Sequence, residues 1–178
     1  MSQRLVNVDF LTTEYRVIGK VMVSHTGLYG LLADPTKSFV EVRQAQVAYL
    51  RAPSRVIRAF KTASITKERI YVACLEKRET PVPQPTAFHG YASYQSYPIH
   101  LAFAGFELEC KIEWTGRFEV GSLLVANFGK FINVYDAVLT SSAVRGFELR
   151  TPAAFVNVSR LDLAALITEG EKLEAEPR

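Results

Sequence analysis

Alternating hydrophobic and polar positions are the main signal in this chain. From Phe106 to Trp114 the even-numbered positions are Phe, Leu, Cys, Ile and Trp, and the odd-numbered positions between them are Glu, Glu, Lys and Glu. The segment from Tyr15 to Val23 alternates in a similar way, with Tyr and Val on one parity. A period of two is typical of a β-strand that buries one face.

Similar segments follow in both halves of the chain, and β-branched and aromatic residues dominate them. In the first half they predict strands at 28–34, 39–49, 56–66 and 70–75. In the second half they predict strands at 131–139, 146–150, 155–158 and 161–166. Two segments stay open: 119–127 is a strand or one helical turn, and 161–173 is also compatible with a terminal helix.

The two halves contain matching blocks, which indicates an internal repeat. The block at 15–21 matches 106–112, and Thr26-Gly27 matches Thr115-Gly116. The sequence FVEVRQA from Phe39 matches FINVYDA from Phe131, and RIYVACL from Arg69 matches RLDLAAL from Arg160. Because order, spacing and residue type agree, we interpret the chain as a duplicated β unit, in which Phe39 and Phe131 are equivalent core residues.

Five short strands per unit predict an all-β protein of two tandem five-stranded small barrels, since closure removes unpaired edges. The predicted boundaries are a first, basic barrel at 1–79, a Pro- and Tyr-rich linker at 80–100, and a second, acidic barrel with a charged tail at 101–178. The unit plan is a strand, a Gly turn, a Leu-rich run and a Phe-led strand. It resembles the Sm-like class of small β-barrels and an uncharacterised bacterial family of tandem small β units. That resemblance implies a small-barrel fold and ring-like assembly.

Charge divides the chain. Residues 1–89 hold 13 Lys and Arg against 7 Asp and Glu, whereas residues 90–178 hold 8 against 11. Opposite signs on the two halves favour head-to-tail contact between copies, which generates rings or filaments. A group of cations on the late strands of the first half is a candidate phosphate-binding or partner-binding patch. Its members are Arg51, Arg55, Arg58, Lys61, Lys67 and Arg69.

The linker carries three regularly spaced tyrosines, Tyr91, Tyr94 and Tyr97. They are candidates for docking a partner, and the alternative is that they pack back on a barrel. The aromatic content fits interfaces, where Tyr and Phe are enriched, and it fits β cores as well.

Candidate chemistry is sparse. The two cysteines, Cys74 and Cys110, are predicted to be reduced, buried thiols, and the three His residues do not cluster into a metal site. The chain has no P-loop and no nucleophile elbow. It has no apolar run of membrane-spanning length and no signal peptide, so the expected location is the cytoplasm. We therefore expect no cofactor and no enzyme.

Two functions remain. The first is a structural or interaction module that forms a homo-oligomer or serves as a subunit of a complex. The alternative is a nucleic-acid-binding small barrel that uses the basic first unit.

Overall fold

A computed structural model describes residues 3–79, 94–125 and 130–168 of the chain. Within these ranges, no helix is long and apolar enough to cross a membrane.

The first half contains five strands and one short helix. They are β1 (Arg4–Thr12), β2 (Tyr15–Val23), α1 (Gly27–Ala33), β3 (Phe39–Tyr49), β4 (Val56–Thr66) and β5 (Ile70–Leu75). A single 3-10 turn, Lys67–Arg69, separates the last two strands.

The second half has the same succession of elements. They are β6 (Tyr94–Phe103), β7 (Phe106–Thr115), α2 (Gly121–Leu124), β8 (Phe131–Ser141), β9 (Glu148–Asn157) and β10 (Leu163–Leu166). A 3-10 turn, Val158–Arg160, again precedes the last strand.

The prediction of an all-β protein is confirmed, but the described strands form one open sheet rather than two closed barrels. Every pairing is antiparallel, and the order is β10-β6-β7-β8-β9-β5-β1-β2-β3-β4. A strand has only two edges for hydrogen bonding. Strand β5 pairs with β1 on one edge and with β9 of the second half on the other, so it cannot also close the first half against β4.

Several predicted strand boundaries were wrong. Strands β1 and β6 were missed, and the two short strands predicted at 146–150 and 155–158 are one continuous strand, β9. The segment at 161–166 forms β10 instead of a terminal helix.

The apolar run at 28–34 is helical, not extended. Leu28 and Leu32 are four residues apart, and both are buried on one face of α1. Side chains at that spacing meet on a helix, whereas on a strand they would share their face with Gly30. At its start, the backbone N–H of Leu28 donates to the carboxylate of Glu79 at 2.9 Å. The first half still has five strands, because β1, which the sequence analysis missed, takes the place of the strand predicted at 28–34.

Each of the two hydrophobic cores draws on both halves. The core under the second half includes Leu11, Leu50 and Val72 of the first. The core under the first half includes Phe131 and Phe155 of the second. The halves are thus packed through shared cores as well as through the β5–β9 ladder.

The predicted linker at 80–100 is in part a strand, because β6 begins at Tyr94. Its residues 80–93 lie outside the described residues, as does the charged tail at 169–178.

Candidate functional site

The junction between the halves is a continuous antiparallel ladder. Val72 lies opposite Val156, and Leu75 lies opposite Ala153. Buried side chains extend this ladder: the Nδ2 of Asn157 donates to the carbonyl of Ile70 at 3.0 Å, and the Oγ1 of Thr151 donates to the carbonyl of Leu75 at 2.7 Å. Hydrogen bonds between buried groups fix the register of the two strands.

Aromatic side chains seal the same junction. Phe131, the first residue of β8, is 4% exposed and lies in the core of the first half. It lines a cleft of about 380 Å³ together with Tyr29 and Leu32 of α1. Tyr29 also contacts Phe155 of β9, with ring centroids 5.9 Å apart. The start of β8 is therefore covered by the helix of the other half.

An ion cluster closes the junction at the outer surface. After β5, the chain places Arg78 against the second half, where its Nη2 lies 2.7 Å from the Oδ1 of Asp136 and its guanidinium lies 4.5 Å from the ring centre of Tyr135. Lys111 lies 3.2 Å from the other oxygen of Asp136. The hydrogen bond from Arg78, followed by that from Lys111, holds the pKa of Asp136 below its usual range.

The two ends of the sheet have no such cover among the described residues. Strand β4 pairs only with β3, and β10 pairs only with β6. Phe39 begins β3, as Phe131 begins β8, but it is 46% exposed. The prediction that Phe39 and Phe131 are both core residues is therefore right for Phe131 and wrong for Phe39. The reason is position: Phe131 stands at an internal junction, and Phe39 stands at an open end.

Further apolar side chains are exposed near these ends. At the β4 end they are Val56, Ile57 and Phe60. At the β10 end they are Leu163 and Ile167, and α2 adds Leu124 and Val125, each 57% exposed. Others lie on strands paired on both edges, namely Leu5, Tyr15, Ile18 and Tyr49. An unpaired edge strand with exposed apolar residues is a surface able to pair with another chain.

Comparison with known proteins does not identify the chain. The chain matches no family model, no curated protein and no solved structure.

The structure does not bring the six predicted cations into one patch. Arg51 and Arg55 lie in the loop before β4, Arg58 and Lys61 lie on β4, and Arg69 lies beyond its far end. Arg55 and Arg69 lie beyond opposite ends of β4, and its 11 residues at about 3.3 Å each separate them by roughly 35 Å. That these cations bind phosphate or a partner stays a prediction.

Lys67 does not belong to an exposed patch. It is 6% exposed, and its Nζ donates to the carbonyl of Asp34 at 2.8 Å. Burial lowers its pKa below the ordinary lysine value. Lys67 therefore holds the segment after α1 in place.

The predicted docking tyrosines are placed as follows. Tyr94 opens β6 and is highly exposed. Tyr97 is half-buried, its hydroxyl donates to the carbonyl of Gly116 at 2.8 Å, and its ring packs 5.3 Å from Phe118. Tyr91 lies outside the described residues. For Tyr97, this packing agrees with the interpretation that the tyrosines pack back on the folded chain.

Sequence reasoning missed a basic groove on the outer face of the first half. Lys20 of β2 lies directly opposite Arg43 of β3, and Arg43 lies opposite Thr62 of β4. Together with Lys61, these residues line a groove of about 420 Å³. Like charges placed directly opposite each other on neighbouring strands are destabilising. The parity of Lys20 and Arg43 places them on the polar face, but only the strand register shows that they meet.

Both thiols are buried and free, as predicted. Burial raises the pKa of Cys110 to about 12, and it raises the pKa of Cys74 further. No group of three metal-ligating side chains occurs in the part of the chain that the structure describes.

We expect neither thiol to react with an aromatic disulfide reagent in the folded protein at pH 8. The thiolate is the reactive form, and raised pKa values with burial leave almost none of it accessible. Absorbance of the released thiol should show two reacting groups per chain in guanidinium chloride and none in buffer. Rapid reaction of one thiol in buffer would contradict the burial of these strands.

Proposed function

We propose that this protein is a non-enzymatic assembly module built from two copies of one β unit, and that its copies join head to tail. In this proposal, β10 of one copy pairs with β4 of the next. The new junction repeats the β5–β9 junction that already joins the halves of a single chain.

The observation that carries the proposal is the contrast between Phe131 and Phe39. Both open the third strand of their half, and one is covered by the neighbouring half while the other is open. Burying a Phe side chain contributes roughly 1.5–3 kcal/mol. An exposed Phe39 at the position where the internal junction seats its aromatic residue supports a second copy as its cover.

The opposite end of the sheet offers a matching surface. Phe131 sits in a cleft with Leu32 and Ala33, which end α1. In the second half, Leu124 ends α2 and Val125 follows it, and both are exposed. When two copies join, Phe39 of one is expected to pack on Leu124 and Val125 of the other.

The internal ladder also sets the expected register. Val156 lies opposite the second residue of β8, and Ile65 lies opposite the second residue of β3, so these two positions correspond. Likewise, Leu166 ends β10 as Leu75 ends β5. Between copies, Leu163 should therefore face Ile65, and Leu166 should face Thr62.

A contact between two different surfaces repeats without limit unless the rotation closes it, so the products are rings or filaments. The resemblance to Sm-like barrels favours rings, and it stays a prediction. Discrete mass in solution distinguishes a ring from a filament.

Replacement of Phe39 with Asp should convert assembled protein into single chains. The new carboxylate would lose its water in the junction without a partner, whereas in the free chain it stays exposed. Light scattering across protein concentrations measures the mass, and thermal unfolding of the dilute protein checks that the fold is unchanged.

Tyr15→Asp is the matched control, because Tyr15 is a similarly exposed aromatic residue on β2, a strand paired with β1 on one edge and β3 on the other. Its mass should equal that of the unaltered protein. Wild-type protein that remains a single chain at all concentrations would refute the proposal, and so would a Tyr15→Asp effect without a Phe39→Asp effect.

Nucleic-acid binding by the first half is the alternative. It predicts absorbance at 260 nm in the purified protein and a mass that falls after nuclease treatment. Assembly through strand edges predicts a mass that nuclease does not change.

A further inference from the structure

The basic groove of the first half has no anionic partner that balances it within the described chain. Lys20, Arg43 and Lys61 line it, and the carboxylate on the same wall is Glu41, 3.6 Å from the Nε of Arg43. An adjoining groove of about 490 Å³ is lined by Lys20 and Glu76, and the carboxylate of Glu76 accepts a hydrogen bond from Asn7. Lys20, Arg43 and Lys61 therefore repel one another, and this repulsion destabilises the free chain.

The internal junction shows what covers the corresponding surface of the second half. Arg78 lies three residues beyond Leu75, the end of β5, and it rests on Tyr135 and Asp136. Tyr135 lies opposite Lys111, as Arg43 lies opposite Lys20. Asp136 and Gln44 follow as the bulged residues, with φ of 48° and 51°. Arg43 and Gln44 therefore occupy the places that Tyr135 and Asp136 occupy in the second half.

The residue three positions beyond β10 is opposite in charge to the residue three positions beyond β5. Glu169 lies three residues beyond Leu166, where Arg78 lies three residues beyond Leu75. The segment at 169–178 contains four Glu against one Lys and one Arg. At the internal junction, the cation of Arg78 contacts the carboxylate of Asp136. In the proposed junction the charges are exchanged: the carboxylates that follow β10 would approach the cations of the groove.

From this reversal of charge we infer that the acidic segment at 169–178 of one copy docks in the basic groove of the next copy. The inference rests on the proposed head-to-tail function, and it names the contact that makes the new junction selective. The strand order places β10 and the groove strands β2, β3 and β4 at opposite ends of the sheet, which favours a neighbouring copy over the same chain. Complementary charge at the rim of an interface fixes register and speeds association.

The test reverses the charges separately. A groove variant carries Lys20→Glu with Arg43→Glu, and a tail variant carries Glu169→Lys with Glu171→Lys. The groove variant keeps a like-charge pair across β2 and β3, so its stability should stay close to that of the unaltered protein. Each variant alone should associate about tenfold more weakly at low salt, and the difference should vanish at high salt, where exposed charges are screened.

Mixing the two variants provides the decisive result. The reversed groove fits the reversed tail, and the original groove fits the original tail, so the mixture should recover the association of the unaltered protein. If the segment folded back on its own groove, mixing would restore nothing, because each chain would keep its own mismatch. That outcome would overturn the inference.

The control variant, Arg145→Glu with Arg150→Glu, reverses two exposed charges before and on the internal strand β9, outside the groove. It should associate like the unaltered protein. Equal loss in this control would overturn the inference, since it would show a response to overall charge. A groove variant that assembles normally but loses bound nucleic acid would also overturn it, because the occupant would then be phosphate.

The two proposals fail in different ways. If the unaltered protein does not associate, the head-to-tail function itself is refuted. If it associates through Phe39 but ignores charge reversal, the groove inference alone is refuted.

Discussion

Phe131→Ala should destabilise the folded chain by about 3–5 kcal/mol, the usual loss for a buried aromatic side chain, whereas Phe39→Ala should change its stability by less than about 1 kcal/mol. Phe131 is 4% exposed at the junction of the halves, and Phe39 is 46% exposed at the open end. Both comparisons belong at protein concentrations where the chain is dissociated, because assembly would stabilise the folded state by mass action.

Denaturant unfolding of the two variants measures this difference directly. A loss of similar size in both variants would contradict the described positions, since it would place Phe39 in a core. At higher concentration, Phe39→Ala should lose more stability than in dilute solution, and Phe131→Ala should not show this dependence beyond that of the unaltered protein.

Loss of the ion pair between Arg16 and Asp9, whose side chains are 15% and 16% exposed, should have the second large effect. The Nε and Nη2 of Arg16 donate to the carboxylate of Asp9, with the shortest distance 2.6 Å, and its Nη1 donates to the carbonyl of Pro53. The guanidinium also lies 5.8 Å from the ring centre of Phe147 in the second half. The hydrogen bond to Asp9 raises the pKa of Arg16, so the cation is present at every ordinary pH.

Arg16→Leu should therefore destabilise the fold by about 3 kcal/mol, because the largely buried carboxylate of Asp9 would lose its counter-charge. The double variant Asp9→Leu with Arg16→Leu should lose less than Arg16→Leu alone, since no unpaired charge remains. Denaturant midpoints of the unaltered protein, Arg16→Leu and the double variant measure the difference. A double variant less stable than Arg16→Leu would contradict this expectation, because the unpaired carboxylate would then not be the cause of the loss.

The periodic segments of the sequence were sufficient for most strands of the described fold. The alternation from Phe106 to Trp114 became β7, and Phe106, Leu108, Cys110 and Ile112 are its buried residues. Those positions alternate strictly, and an alternating strand buries one face wherever its partners lie. The run at 28–34 has no alternation, and its apolar spacing fits a helix as well as a strand, so the pattern did not identify α1.

The open ends and the groove depend on contacts between strands distant in sequence. Lys20 and Arg43 are 23 positions apart, and only the β2–β3 register places them opposite each other. Lys67 shows the reverse case, because its charge suggested a surface role and the fold buries it beside Asp34. Residue type thus identified candidate cations, but it did not identify which of them are exposed together.

The sequence by itself determined an all-β chain with the same order of blocks in both halves, because strand alternation and turn residues are local properties of the chain. The tertiary structure decided what each strand edge pairs with. It gave the second edge of β5 to β9, left β4 and β10 at the ends of the sheet, and thereby buried Phe131 and exposed Phe39. Two similar blocks carry the same local pattern, and only the arrangement of strands in space gives them different neighbours.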